Sequence, residues 1–303
     1  MEIENKLRNK NIAKGERLVF FYIIIAILLG ALLDETFKFL PEQTLTIVCS
    51  ALGAFIVFLR YGPRKGTLLK SNNKMTGTGF FVMFGAFFMA QLVSMLPSLL
   101  VVKLTVNEES VQNLTLFGTT NENPIMTFLF MGLCCPICEE IVFRGCIGNN
   151  YKKYGIWFGM IISTLLFSMY HANIYQLIST FLPGIVLFYV AMNYSLKWSI
   201  LFHFINNTLS SSAVPLLQKL FNDSPVISYA EYGIKILLVI IALALMKKDN
   251  AVSKVKAFLS APENENGVFK ASLLNIWFII IVVIFALLSA MSLMMLSGKI
   301  NMP

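Results

Sequence analysis

The chain has two histidines, His171 and His203, and both sit in apolar stretches long enough to lie inside a membrane. A third apolar stretch carries Glu139-Glu140, with Arg144 four residues after the second acid. Ionisable side chains are costly in lipid, so each one is by default a functional hypothesis. A carboxylate pair and two imidazoles are usual agents of proton transfer and water activation. The chemistry they suggest is hydrolysis within a membrane.

Helical spacing sorts these residues. Glu140 and Arg144, four apart, share a face and can pair. Glu139 is turned about 100° from Glu140, so one arginine does not easily neutralise both acids. Glu140 is therefore expected to be structural, and Glu139 to face a polar cavity as a base. Pro136 removes a backbone hydrogen bond just upstream and predicts a kink. The plainer reading, a self-neutralised pair snorkelling to an interface, accounts for Glu140 and Arg144 but not for Glu139. Phe167 and His171 are also four apart, so the ring can wall a pocket into which the imidazole points. An interfacial or capping histidine is the plainer reading there. His203 and Asn207 repeat the spacing, and the pair can ligate a metal or hold a developing oxyanion. Alternatively, they are an interhelical hydrogen-bond pair.

The elements that must position these groups are transmembrane helices. The 303 residues are 57% hydrophobic and 13% charged, against about 25% charged in soluble domains. Nothing shows the period-2 alternation of a membrane barrel. A spanning helix needs about 20 apolar residues, and apolar runs occur near 18–33, 44–59, 77–101, 124–147, 155–170, 174–193, 198–217, 232–246 and 272–297. The expected fold is an all-α polytopic helix bundle of eight or nine spans. Residues 1–17 read as a mobile cytoplasmic tail and 18–303 as a single membrane domain, with a catalytic core about 124–212. The first apolar run reads as a retained anchor, since a cleavable signal has a shorter apolar core and a small-residue cleavage site. Residues 251–259 alternate apolar positions with Lys254 and Lys256 and suit the membrane surface.

The net charge of +8 does not indicate nucleic acid. Basic residues fall mostly in 1–17, 60–74, 152–153, at Lys197 and in 247–270, while the intervening connections lean acidic. That alternation follows the positive-inside rule and places the N-terminus in the cytoplasm. With nine spans the C-terminus is outside, and with eight it returns inside. None of the five cysteines falls in an expected external loop, which argues against a disulfide framework. Cys135-Pro-Ile-Cys138 reads as close helix packing more than as a redox or zinc pair.

The ordered set Glu-Glu-x-x-x-Arg, Phe-x-x-x-His and His-x-x-x-Asn resembles the CAAX-protease and bacteriocin-processing family, which includes the type II CAAX prenyl endopeptidases. The match is Glu139, Glu140 and Arg144, then Phe167 and His171, then His203 and Asn207. The resemblance implies that Glu139 and His171 activate a water, that His203 and Asn207 stabilise the oxyanion, and that Glu140 and Arg144 support the site. No cofactor is favoured, although Glu139, His171 and His203 would also suffice as zinc ligands. The implied partner is a membrane-associated protein or peptide substrate, in a setting that suits a bacterial plasma membrane. Two other readings compete: a non-catalytic membrane partner or bacteriocin self-immunity protein, and a proton-coupled transporter. The transporter reading expects paired broken helices, for which Pro136 and Pro183-Gly184 are the candidates. Depth raises a difficulty. At about 1.5 Å per residue, Glu139 lies about 20 Å from Lys152, His171 about 24 Å into its span, and His203 about 9 Å past Lys197. Straight helices do not join all three, so either the spans tilt or the 149–154 connection dips into the bilayer.

Overall fold

The structure, a computed structural model, describes residues 2–41, 43–63, 67–105, 123–222, 224–260 and 265–296. Most of the acidic connection expected at 103–123 lies outside these residues, as do Glu42, Asp223, Arg64 and Lys65. The described residues are helical with no strand. In chain order the helices are α1 (Glu2–Thr36), α2 (Thr44–Tyr61), α3 (Gly77–Thr105), α4 (Pro124–Tyr154), α5 (Ile156–Tyr170) and α6 (Ile174–Asn193). There follow α7 (196–220), α8 (Pro225–Asp249), α9 (Ala251–Leu259), α10 (Val268–Leu273) and α11 (Ile276–Leu296).

Seven of these helices are long and apolar enough to cross a membrane, two fewer than the nine apolar runs. The expected fifth and seventh spans are the ones that fall short as single helices. The fifth, α5, has 15 residues, about 22 Å of helix against a hydrocarbon core of about 30 Å. The seventh, α7, is an α-helix over Leu196–Thr208, a wide-turned stretch over Leu209–Ala213 and a last α-helical stretch over Val214–Leu220. Large apolar side chains face outward along the spans, among them Leu52, Phe55 and Leu59 on α2 and Ile236, Ile240 and Leu243 on α8. Charged side chains such as Glu140 and Arg144 are buried instead. Apolar-out and polar-in is the arrangement lipid imposes, and the chain is an integral membrane protein.

A mobile tail is not what the structure has. Residues 2–17 belong to α1, which runs straight into the first span. Arg8, Ile12 and Glu16 are buried. Their partners come from the far end of the chain and from α4: Arg8 pairs with Glu265 at 3.2 Å, Ser272 Oγ donates to Glu16 at 2.5 Å, and Tyr151 Oη donates to the Ile12 carbonyl at 2.9 Å. These contacts explain why a polar segment folds onto the bundle.

The core that carries α4 is aromatic. Tyr22, Phe143, Tyr151, Phe158, Phe167 and Tyr170 lie in one buried cluster joining α1, α4 and α5. A second cluster around Phe84, Phe88 and Phe202 joins α3 to α7. Two asparagines start the helices that flank the site. Asn123 Oδ1 accepts from the Ile125 amide at the head of α4, and Asn173 Oδ1 accepts from the Gln176 amide at the head of α6, as N-caps do. Pro183 does not interrupt α6, which is one helix through Pro183-Gly184. The second broken helix that a transporter would use is therefore not found at that position.

Candidate active site

The site is built on α4, which twice passes from α-helical into π-helical register and back before a tighter last turn at Lys152–Tyr154. Cys135–Glu139 is α-helical, between π-helical stretches Phe128–Cys134 and Glu140–Gly148. Wide turns of this kind recur at functional sites. Pro136 explains part of the pattern. The Cys135 amide bonds back five residues, to the Phe130 carbonyl. In that register Pro136 would serve the Met131 carbonyl, but proline has no N–H. Asn207 of α7 fills the gap, with Nδ2 donating to Met131 O at 3.1 Å. A defect in α4 is thereby the point where α7 is fastened.

Glu140 is fully buried and held on three sides. Arg144 Nη1 donates to Oε1 at 2.9 Å, Ser199 Oγ donates to Oε2 at 2.5 Å, and His203 Nδ1 lies 3.0 Å from Oε1. Arg144 is equally buried. Its Nη2 donates to the Gly184 carbonyl of α6 at 3.2 Å, and its guanidinium lies 3.9 Å from the centre of the Phe167 ring. Gly184 is required there: a Cβ would come within 3.0 Å of Arg144 Nη2 and 2.8 Å of Thr164 Cγ2. Partners for a buried ion pair offset its desolvation: α6 supplies the Gly184 carbonyl and α7 supplies Ser199 and His203, while Arg144 Nε has no hydrogen-bond partner among the described residues.

Glu139 is also buried, at 4% exposure, but it is held differently. Its Oε2 accepts no hydrogen bond from the described residues and lies 3.7 Å from His203 Nε2. An offset of about 100° does not keep the two carboxylates apart. One imidazole reaches both, through its two nitrogens. The difference the sequence implies survives in the bonding: Glu140 is saturated and Glu139 is not.

The hydrogen bonds fix which nitrogens can act. His171 Nδ1 lies 3.0 Å from the Phe167 carbonyl. A carbonyl only accepts, so Nδ1 carries the hydrogen and Nε2 keeps its lone pair. His203 Nδ1 donates to the Glu140 carboxylate, which turns Nε2 toward Glu139. The Phe167 ring joins the two imidazoles, with His171 edge-on at 5.0 Å and His203 edge-on at 5.9 Å. Residues 149–154, the expected connection, are the helical end of α4; Tyr151 is fully buried, Lys153 is exposed, and Asn150 Nδ2 donates to Tyr61 O at 2.6 Å.

Every residue of the three motifs lies in this region. Ser199, Gly184 and the Met131 carbonyl were not anticipated. Ser199 was within reach of the sequence, because it stands four before His203 and eight before Asn207 on one helical face. All five cysteines are free; Cys134 and Cys138 lie with sulfurs 3.7 Å apart. As arranged, Glu139, His171 and His203 do not fit a zinc ion: among the described residues no three His, Cys, Asp or Glu side chains group at ligand spacing.

Comparison with known families places residues 121–209 in the type II CAAX prenyl endopeptidase Rce1-like model. The match covers under a third of the chain and includes all seven motif residues. It describes a family of proteases. No curated protein and no solved structure matches the chain.

Proposed function

We propose that the protein is an intramembrane endopeptidase that hydrolyses a peptide bond near the C-terminus of a membrane-associated protein or peptide. One observation carries the reading: a buried glutamate oxygen without a protein partner, 3.7 Å from an imidazole nitrogen that is itself oriented by a second glutamate. That separation is too long for a direct hydrogen bond and suits a bridging water. Glu139 would take a proton from the water as it attacks the scissile carbonyl. His171, with its Nε2 lone pair free, would share that task, as the family resemblance implies. The second amide hydrogen of Asn207 would receive the developing oxyanion, and His203 would join it through an Nε2–H, which it offers when both ring nitrogens carry hydrogen. Glu140, Arg144 and Ser199 hold His203 in register without touching substrate. The proton returns to the leaving amine, so the step balances with water alone. No step is routed through a metal.

The family match supports a protease and leaves the substrate to experiment. Read by the positive-inside rule, the basic helix ends support a cytoplasmic N-terminus. The test uses the full chain in lipid vesicles with a panel of membrane-anchored peptides, with and without a prenylated CAAX tail, read by mass spectrometry. The expected result is a new C-terminus produced by the wild type, reduced about 10²–10⁴-fold by Glu139→Gln, as for loss of a general base. Cleavage at the wild-type rate by Glu139→Gln overturns the mechanism.

A further inference from the structure

A cavity of about 160 Å³ lies at the C-terminal end of α4, and Glu139 is not among its lining residues. It opens between the 62–74 connection, the last turns of α4 and the α6–α7 junction. Lys70, Asn72, Asn149 and Lys152 line it, and fully buried Arg144 stands in its wall. No carboxylate lines it among the described residues. Arg144 is matched by Glu140, but neither Lys70 nor Lys152 forms an ion pair among the described residues. Two uncompensated ammonium groups therefore face one polar space, with amide side chains beside them.

The cavity is preformed. Asn72 Nδ2 donates to Met192 O at 2.7 Å, its own amide donates to Tyr194 O at 2.7 Å, and Asn73 Nδ2 donates to Asn193 O at 2.9 Å. These bonds fasten the connection that carries Lys70 to the end of α6. Asn149 and Lys152, three apart, share a face of α4. The amphipathic helix α9 lies at this end of the bundle, with Phe258 and Leu259 packed on the apolar cluster that borders the cavity. Such a helix marks the membrane interface.

We propose that this cavity binds a phosphate group, presented by an anionic lipid headgroup. Basic pockets between transmembrane helices recognise headgroups in this way. The volume agrees: pockets for whole small molecules run to roughly 300–1,000 Å³, whereas this one admits a headgroup whose acyl chains stay outside. Lys70 and Lys152 bind the phosphate oxygens, and Asn149 adds an amide donor. The site shares Arg144 with the proposed hydrolytic centre but none of the residues proposed to touch substrate, and its test does not depend on cleavage.

The experiment uses the full chain in neutral detergent. Retention of phosphatidylglycerol against phosphatidylcholine is measured by native mass spectrometry, and the effect of inorganic phosphate on thermal unfolding is measured in parallel. Preferential retention of phosphatidylglycerol is expected. It should weaken about fivefold for each lysine changed to glutamine and roughly 25-fold for Lys70→Gln with Lys152→Gln, since each lysine near the surface contributes on this scale. Arginine at both positions restores it. If inorganic phosphate protects the wild type but not the double glutamine variant, while phosphatidylglycerol is not preferred, the phosphate is a soluble one and the site stands. Lys70→Gln alone, on an exposed side chain, carries the test should the double variant not fold. Unchanged binding of both probes by the glutamine variants overturns the proposal.

Discussion

Glu140 and Glu139 are neighbours in sequence with unlike surroundings. The first accepts from arginine, serine and histidine, and one oxygen of the second accepts from nothing in the described protein. Such an asymmetry is what separates a structural acid from a reactive one. The same reasoning bears on metal. His171 Nδ1 is committed to the Phe167 carbonyl and His203 Nδ1 to Glu140, so only two Nε2 atoms remain for other work. They and Glu139 do not group at ligand spacing. Treatment with EDTA followed by desalting is accordingly expected to leave the rate of peptide cleavage unchanged, with metal content of the purified protein measured alongside. A rate that falls on chelation and returns with zinc would contradict this.

The elements meet where α4 departs from regular helix geometry. Asn207 reaches across from α7 to the one carbonyl that Pro136 leaves unserved. Asn207→Ala should destabilise the protein by about 1–3 kcal/mol, the cost of an acceptor left without its donor. In a Pro136→Ala background α4 can serve Met131 O itself, and the same change should cost less. A double-mutant cycle of unfolding free energies measures the coupling, and strict additivity would refute the link. The motif residues themselves were legible, because Glu140 with Arg144, Phe167 with His171 and His203 with Asn207 each repeat a four-residue spacing that needs only one helix to make sense. Ser199 obeys the same spacing and could have been found. Met131 O and Gly184 O could not: they are backbone atoms, and no residue type announces which carbonyl a distant side chain will use. The register changes in α4 and α7 were hidden for a related reason. Hydropathy measures how apolar a run is, not whether its hydrogen bonds reach back four residues or five.

At the scale of the whole molecule, the polar first turns of α1 act as a brace. Tyr61 Oη donates to the Asn11 carbonyl at 2.8 Å and Tyr151 Oη to the Ile12 carbonyl at 2.9 Å, so α1 is tied to α2 and α4 at one point. The sequence concealed this because the partners of Arg8 and Glu16 lie more than 250 residues away. Gly15 permits the close approach: a Cβ there would come 2.7 Å from Tyr151 Oη and 3.1 Å from Tyr61 Oη. Gly15→Leu should therefore lower the unfolding midpoint in detergent, by an amount equivalent to about 1–3 kcal/mol of overpacking. An unchanged midpoint would mean that the first helix is not braced there. The other whole-molecule expectation, an all-α polytopic bundle of apolar helices, followed from composition and was met with fewer full-length spans.

Measuring cleavage and unfolding on Glu139→Gln and Glu140→Gln in the same vesicles tests the central claim most directly. The account predicts a split. Glu139→Gln keeps the wild-type unfolding midpoint and loses cleavage, whereas Glu140→Gln leaves Arg144 buried without its countercharge and is destabilised by about 3–5 kcal/mol. The account is contradicted if Glu139→Gln still cleaves at the wild-type rate, or if the two variants lose stability alike.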